Sequence, residues 1–317
     1  MKKLLIVWVL ILGAWAFSQG PDERIILSFT INGKPTQLAL DTGANAPVLY
    51  RKAAERLGVR ITNAPPALKA SSGHLILPVT ELVDLGAFKT QFGVYDQLPG
   101  SLAQEDGILP WQSIRNQALT INAEALDVGQ PALMEPPPDF KGWTKLTIAT
   151  NTPFLELEIT AEGEPGRILI DTGYAYGVAI SRKKWSKWRT AHPGAPSTLE
   201  TGRFPSTGPF VAQEAWAGEI SLGNLVLYQV PILDADVERV HEGSVQAIIG
   251  IVALKRLLVC VDAPHGVAYV LQKYGPPRSF RHNRLGAVFP DQVATVVKNS
   301  GDFGVLPYDL HTFALRL

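Results

Sequence analysis

Short apolar runs alternate with polar positions along most of this 317-residue chain. ILSFTING (Ile26 to Gly33) and LELEITAEGEPGRILI (Leu155 to Ile170) are representative. Both show a period of two cut by Gly, Pro and Asn, which is the pattern of strands joined by tight turns. Helical spacing is expected at two places only, YRKAAERLG (Tyr50 to Gly58) and SRKKWSKW (Ser181 to Trp188). The pattern predicts an all-β chain with one short helix in each half.

The two halves repeat. NGKPTQLALDTG (Asn32 to Gly43) aligns without a gap on EGEPGRILIDTG (Glu162 to Gly173), so an Asp-Thr-Gly recurs 130 residues on. SSGHLILPVTELVDLGAFKTQFGVYD (Ser71 to Asp96) corresponds to STGPFVAQEAWAGEISLGNLVLYQVPILD (Ser206 to Asp234). Further on, DGILPWQSI faces QAIIGIVAL, and ALTINAEALDV faces LLVCVDAPHGVAYV. One chance Asp-Thr-Gly is expected in roughly 1 in 25 chains of this length, so a lone triplet means little. A second triplet with three further matches around it is a duplication.

The duplication sets the expected organisation. Residues 19–135 form one copy, the Pro-rich stretch 136–142 a linker, 143–274 the second copy and 275–317 an extension. Residues 1–18 read as a signal peptide: Lys2 and Lys3 precede an apolar run from Leu4 to Phe17, and Ala16 and Ser18 suit cleavage before Gln19. The 14 residues of that run fall short of the roughly 20 that span a bilayer. An exported protein with no stable membrane span after cleavage is expected, periplasmic or secreted. With Cys260 as its only cysteine, it has no intramolecular disulfide. Charged residues are only 18%, against about 25% on average, which describes a packed chain. Lys plus Arg equals Asp plus Glu at 29 each, so no global field recruits nucleic acid. None of the six His falls in a metal-ligand spacing, and no cofactor is expected.

Paired DTG triplets, each followed by an apolar-apolar-Gly element, resemble the pepsin-like and retropepsin-like aspartic peptidases. DTGANAPVLYRKAAERLGV is similar to the bacterial retroviral-type aspartyl proteases, and the likeness runs from about Ile25 to Tyr274. The resemblance implies a bilobal acid-protease fold, two β-barrel-like lobes related by a pseudo-twofold axis. It implies an endopeptidase acting on peptide or protein substrates, with Asp41 and Asp171 as catalytic dyad. Peptide hydrolysis needs a base to activate water and an acid to protonate the carbonyl oxygen and then the leaving nitrogen. Two carboxylates about 3 Å apart repel by about 5 kcal/mol at an effective dielectric of 20, so the pair keeps one proton, as is general for aspartic proteases. By the same resemblance, Thr42 and Thr172 bond across to the opposite loop, and Gly43 and Gly173 let backbone N–H groups approach the acids. Both triplets lie in one chain, so the protein is expected to work as a monomer.

Within KASSGHLILPV, Gly73 and His74 sit near the tip of a candidate flap that would contact substrate. Two positions depart from the family: Pro110 stands where a glycine is usual, and Tyr174 follows the second triplet in place of a small residue. They keep open a different class, a catalytically weak peptide-binding or scaffold protein on the same fold. After residue 274, RLGAVF and VATVV resemble the opening strands of a PDZ domain, cut short. Ala44 and Tyr174 occupy places where pepsin-like enzymes carry a small hydroxyl that stabilises the ionised carboxylate. An activity optimum at roughly pH 4 to 6 follows.

Overall fold

The computed structural model describes residues 24–62, 77–96, 105–116, 118–123, 142–161, 163–204, 208–235 and 245–273, with three short strands beyond them. The proposed signal peptide, the flap tip with Gly73 and His74, and nearly all of the linker lie outside the described residues.

The first copy opens with β1 (Ile26–Ile31) and β2 (Lys34–Asp41), an antiparallel hairpin with Ile31 opposite Lys34. Its two-residue turn is Asn32 and Gly33, with φ of 50° and 73°. Positive φ at both positions matches the right-handed twist of the strands, which is why Asn-Gly serves here. β3 (Val48–Tyr50) leads into α1 (Arg51–Leu57). Gly58 ends that helix in the left-handed region at φ 70°, its N–H returning to the Glu55 and Ala54 carbonyls. Next come β4 (Ile61–Thr62), β5 (Val79–Thr80), β6 (Val83–Asp84), β7 (Lys89–Thr90), β8 (Gly93–Tyr95), β9 (Gly107–Pro110), α2 (Trp111–Ile114) and β10 (Ala118–Ile121).

The second copy follows the same plan. It contains β11 (Thr144–Ile148), β12 (Glu156–Ala161), β13 (Glu164–Ile170), β14 (Val178–Ile180), α3 (Arg182–Ala191), β15 (Ser197–Phe204), β16 (Gly208–Leu222) and β17 (Leu225–Asp234). β18 (Val245–Ile249), α4 (Ile251–Leu254), β19 (Leu257–Asp262) and β20 (Val267–Gln272) complete it. Among the described residues each copy thus carries two α-helices where one was expected. The extra turns, α2 and α4, are four-residue segments, too short to show helical periodicity in sequence. The cationic segment Ser181 to Arg189 folds as α3, with Ser181 as N-cap accepting from Lys184 N. Trp185 is buried and Trp188 packs against the core, while Arg182, Lys183 and Lys187 are exposed.

The sheets repeat as the sequence does. The first runs β1-β2-β9-β3-β8-β5-β4, and the same order recurs as β12-β13-β18-β14-β17-β16-β15 inside an 11-stranded sheet. In both, the triplet strand lies parallel to the strand entering the second helix: β2 to β9, and β13 to β18. The remaining four strands of the larger sheet are β10-β19-β20-β11, so β10 of the first copy is hydrogen-bonded to β19 of the second. One apolar cluster runs through both copies, including Leu38, Leu40, Leu109, Ile168, Ile170 and Ile249. Strands β21 (Ala287–Val288), β22 (Thr295–Val297) and β23 (Phe303–Val305) pair antiparallel in sequence order.

Candidate active site

The central strands of the two copies end on the two triplets. β2 carries the chain to Asp41, and β13 delivers it to Asp171 one residue past its end. Each turn then folds back on its own acid: Gly43 N donates to Asp41 Oδ1 at 3.1 Å, and Gly173 N to Asp171 Oδ1 at 2.9 Å.

The threonines tie the turns together. Thr42 N donates to Thr172 Oγ1 and Thr172 N to Thr42 Oγ1, both at 3.1 Å. Each hydroxyl also donates into the opposite copy, Thr42 Oγ1 to Ile170 O at 2.5 Å and Thr172 Oγ1 to Leu40 O at 2.6 Å. Both side chains are fully buried. Four bonds in a dry environment therefore fix one loop against the other, and each is expensive to leave unmade.

The glycines determine how close the acids come. A Cβ added to Gly43 would overlap the Asp171 carboxyl, and one on Gly173 would overlap the Asp41 carboxyl. Only a residue without a side chain lets each turn lie against the other's acid. Each carboxyl is close enough to perturb the protonation of the other. Burial raises both above the ordinary carboxylate value. At Asp171 the negative charge of Asp41 adds to the effect of burial, while at Asp41 the positive charge of Arg24 partly offsets it.

Pro110 and Tyr174 belong to one structural difference between the copies. In the second copy Gly250 N donates to Gly177 O at 2.9 Å, Ile251 N to Tyr174 O at 2.7 Å and Val252 N to Tyr176 O at 3.1 Å. These bonds hold the loop after Asp171 against the start of α4. The equivalent of Gly250 is Pro110, opposite Asp41 in the β2/β9 register, and proline has no N–H to donate. Among the described residues none of the three bonds has a counterpart in the first copy. The pairing of β3 with β9 is also one residue out of step. Val48 faces Ile108, whereas Val178 faces Ile249, the equivalent of Leu109. Tyr174 and Tyr176, their rings tilted by 57° with centroids 5.1 Å apart, lie beside Gly250, and the first copy has Ala44 and Ala46 at the equivalent positions.

Arg24, Tyr50 and Glu105, which motif reading passed over, stand behind Asp41. Arg24 donates to the buried Glu105 carboxylate, and Tyr50 Oη lies 3.5 Å from the same oxygen. The only signal for them in sequence is their apolar counterparts in the second copy, Phe154, Ile180 and Val245. A concavity of about 540 Å³ between Lys145, Thr147, Glu158, Thr160, Arg167 and Asn224 shares no lining residue with either triplet.

The sequence model of the aspartyl protease family matches residues 27–94, the segment from β1 to β8 that contains Asp41, Thr42 and Gly43. No curated protein matches the chain. The match points to proteolytic function.

Proposed function

We propose that the protein is an aspartic endopeptidase of bilobal acid-protease architecture, exported and active as a monomer, that hydrolyses peptide bonds with a water activated between Asp41 and Asp171. The observation that carries this reading is the reciprocal Thr42–Thr172 bonding, with each triplet glycine against the opposite carboxyl. It joins a segment matched by the aspartyl protease family to its own internal repeat. In the reaction the ionised acid takes a proton from water as the water oxygen bonds to the scissile carbonyl carbon. The protonated acid gives its proton to the carbonyl oxygen, producing a gem-diol. The acid that took the proton from water then gives it to the nitrogen, and as the C–N bond breaks the other, now ionised, acid takes a proton from one gem-diol hydroxyl, so the pair regains its single shared proton. The hairpin β15/β16, counterpart of the segment with Gly73 and His74, supplies a second flap over the cleft in this reading.

The test is cleavage of a denatured protein by the purified chain. The expected result is internal cuts that persist in the presence of serine-directed reagents and chelators. A peptide bearing a hydroxyethylene group at the scissile position, which mimics the gem-diol, should block them. A folded chain that binds this peptide yet cuts nothing would replace the proposal with the peptide-binding reading, which the register difference at Pro110 favours. The profile of kcat/KM against pH should be bell-shaped, because both the doubly protonated and the doubly ionised dyad are inactive. Its maximum is expected at roughly pH 4 to 6, since burial holds both acids above their ordinary range. A maximum below pH 3 would mean that some other group controls the dyad.

A further inference from the structure

The two copies place different side chains against their acids. In the β1/β2 hairpin Ile26 faces Ala39 and Leu40 N donates to Ile25 O at 2.8 Å, so one further step sets Arg24 opposite Asp41. In β12/β13 Glu156 faces Leu169 and Ile170 N donates to Leu155 O at 2.9 Å, so the same step sets Phe154 opposite Asp171. Directly opposed residues in an antiparallel pair project from the same face. A guanidinium therefore neighbours one carboxyl and a phenyl ring the other.

The layers behind them differ in the same sense. Arg24 is anchored by Glu105, their side chains only 16% and 4% exposed. Tyr50 completes that polar group. In the second copy Val245 joins Leu169, Tyr174, Ala179, Ala235 and Ile248 in a small apolar cluster, with Phe154 and Tyr176 packed on it. A dyad sharing one proton between identical loops would have no preferred owner. Here the surroundings are unlike.

We propose that Arg24 is a positioning residue that keeps the negative charge on Asp41, so that the shared proton resides on Asp171. This rests on the peptidase reading for its catalytic meaning, not for its physical content. Asp41 is then the base that takes the proton from water, and Asp171 the acid that donates to the carbonyl oxygen. After the step Asp41 is protonated and Asp171 ionised, and the proton count is unchanged. The charged and titratable groups around the pair agree with the assignment. Asp41 is affected by Arg24 and Asp171, with Glu105 and Tyr50 behind Arg24. Asp171 is affected by Asp41 and lies beside Tyr174, with Tyr176, Glu214 and Glu200 beyond, none of them a cation. On the Asp171 side burial is the largest influence, and the negative charge of Asp41 adds to it.

Titration of ¹³C-labelled aspartate carboxyls in the full chain tests this. In Asp171→Asn, Asp41 titrates alone, and in Asp41→Asn, Asp171 titrates alone. The expected order is Asp41 below Asp171. Adding Arg24→Met should move Asp41 upward with a smaller change at Asp171, and Arg24→Lys should restore it. If the single change unfolds the chain by stranding Glu105, the pair Arg24→Phe with Glu105→Val reproduces the layer of the second copy and should bring the two titrations together. Equal titration in the parent, the reverse order, or an Asp41 indifferent to every Arg24 change would overturn the proposal. Where peptide turnover is measurable, the acidic limb of kcat/KM should shift to higher pH in Arg24→Met and return in Arg24→Lys. The titrations decide the charge assignment even if no peptide is cut, so its failure is distinct from failure of the peptidase reading.

Discussion

Asp171→Asn is expected to lower kcat/KM by about 10³-fold or more while making the folded chain more stable at neutral pH. The loss follows from removing the group that donates the proton, since positioned acid–base catalysis contributes about 10² to 10⁴-fold. The gain follows from linkage. Burial, reinforced by the charge of Asp41, raises the folded pKa of Asp171 well above its ordinary value of 3.8. Below that ordinary value both folded and unfolded chains hold the proton, and the carboxyl carries no penalty. As pH rises past it the unfolded chain releases the proton and the folded chain does not, so stability falls until the folded group ionises. An amide in the same place has no proton to release, and this decline disappears. Unfolding midpoints in urea from pH 4 to pH 7, read beside kcat/KM, check both halves. An Asn variant that retains parental activity would remove Asp171 from the mechanism. An inactive variant that is less stable than the parent throughout would make Asp171 a structural residue.

The parts of this site that sequence revealed are those that depend on local chemistry. Asn32-Gly33 announces a two-residue hairpin because few residue pairs accept positive φ twice, and Gly58 closes α1 for the related reason. The paired triplets were visible because a gapless repeat preserved their place. What escaped notice depends on residues distant in sequence. Arg24 precedes β1 and reads as an ordinary charge until the hairpin register sets it opposite Asp41. Glu105 belongs with it only across 81 residues. The crossing of β10 to β19 is equally silent, because an edge strand and an interior strand share the alternation of ALTI. Pro110 could be seen as a departure, but its structural effect, a one-residue difference in the β3/β9 pairing, required the second copy in three dimensions for comparison.

Thr172→Val should cost about 2–5 kcal/mol of stability and at least a hundredfold in kcat/KM, with Thr172→Ser close to the parent in both. Valine has nearly the shape of threonine, so the change isolates the hydroxyl. That hydroxyl donates to Leu40 O and accepts from Thr42 N, and neither partner is exposed to water that could replace it. Each buried group left unpaired costs about 1–3 kcal/mol. Serine keeps both bonds and loses one buried methyl group, about 1 kcal/mol. The effect on activity comes through geometry, because displacement of reacting groups by about 1 Å can cost about 10²-fold. Here the bonds that hold Thr172 also hold Gly173, which lies against the Asp41 carboxyl. A loosened loop therefore disturbs both acids, not only the one it carries. Thr42→Val should behave alike, and because the two hydroxyls sit 3.4 Å apart in one network, the double variant should lose less than the sum of the single ones. Additive losses would mean that the loops are held independently, and a Thr172→Val chain with parental stability and turnover would mean that the reciprocal bonds do not set the separation of Asp41 and Asp171.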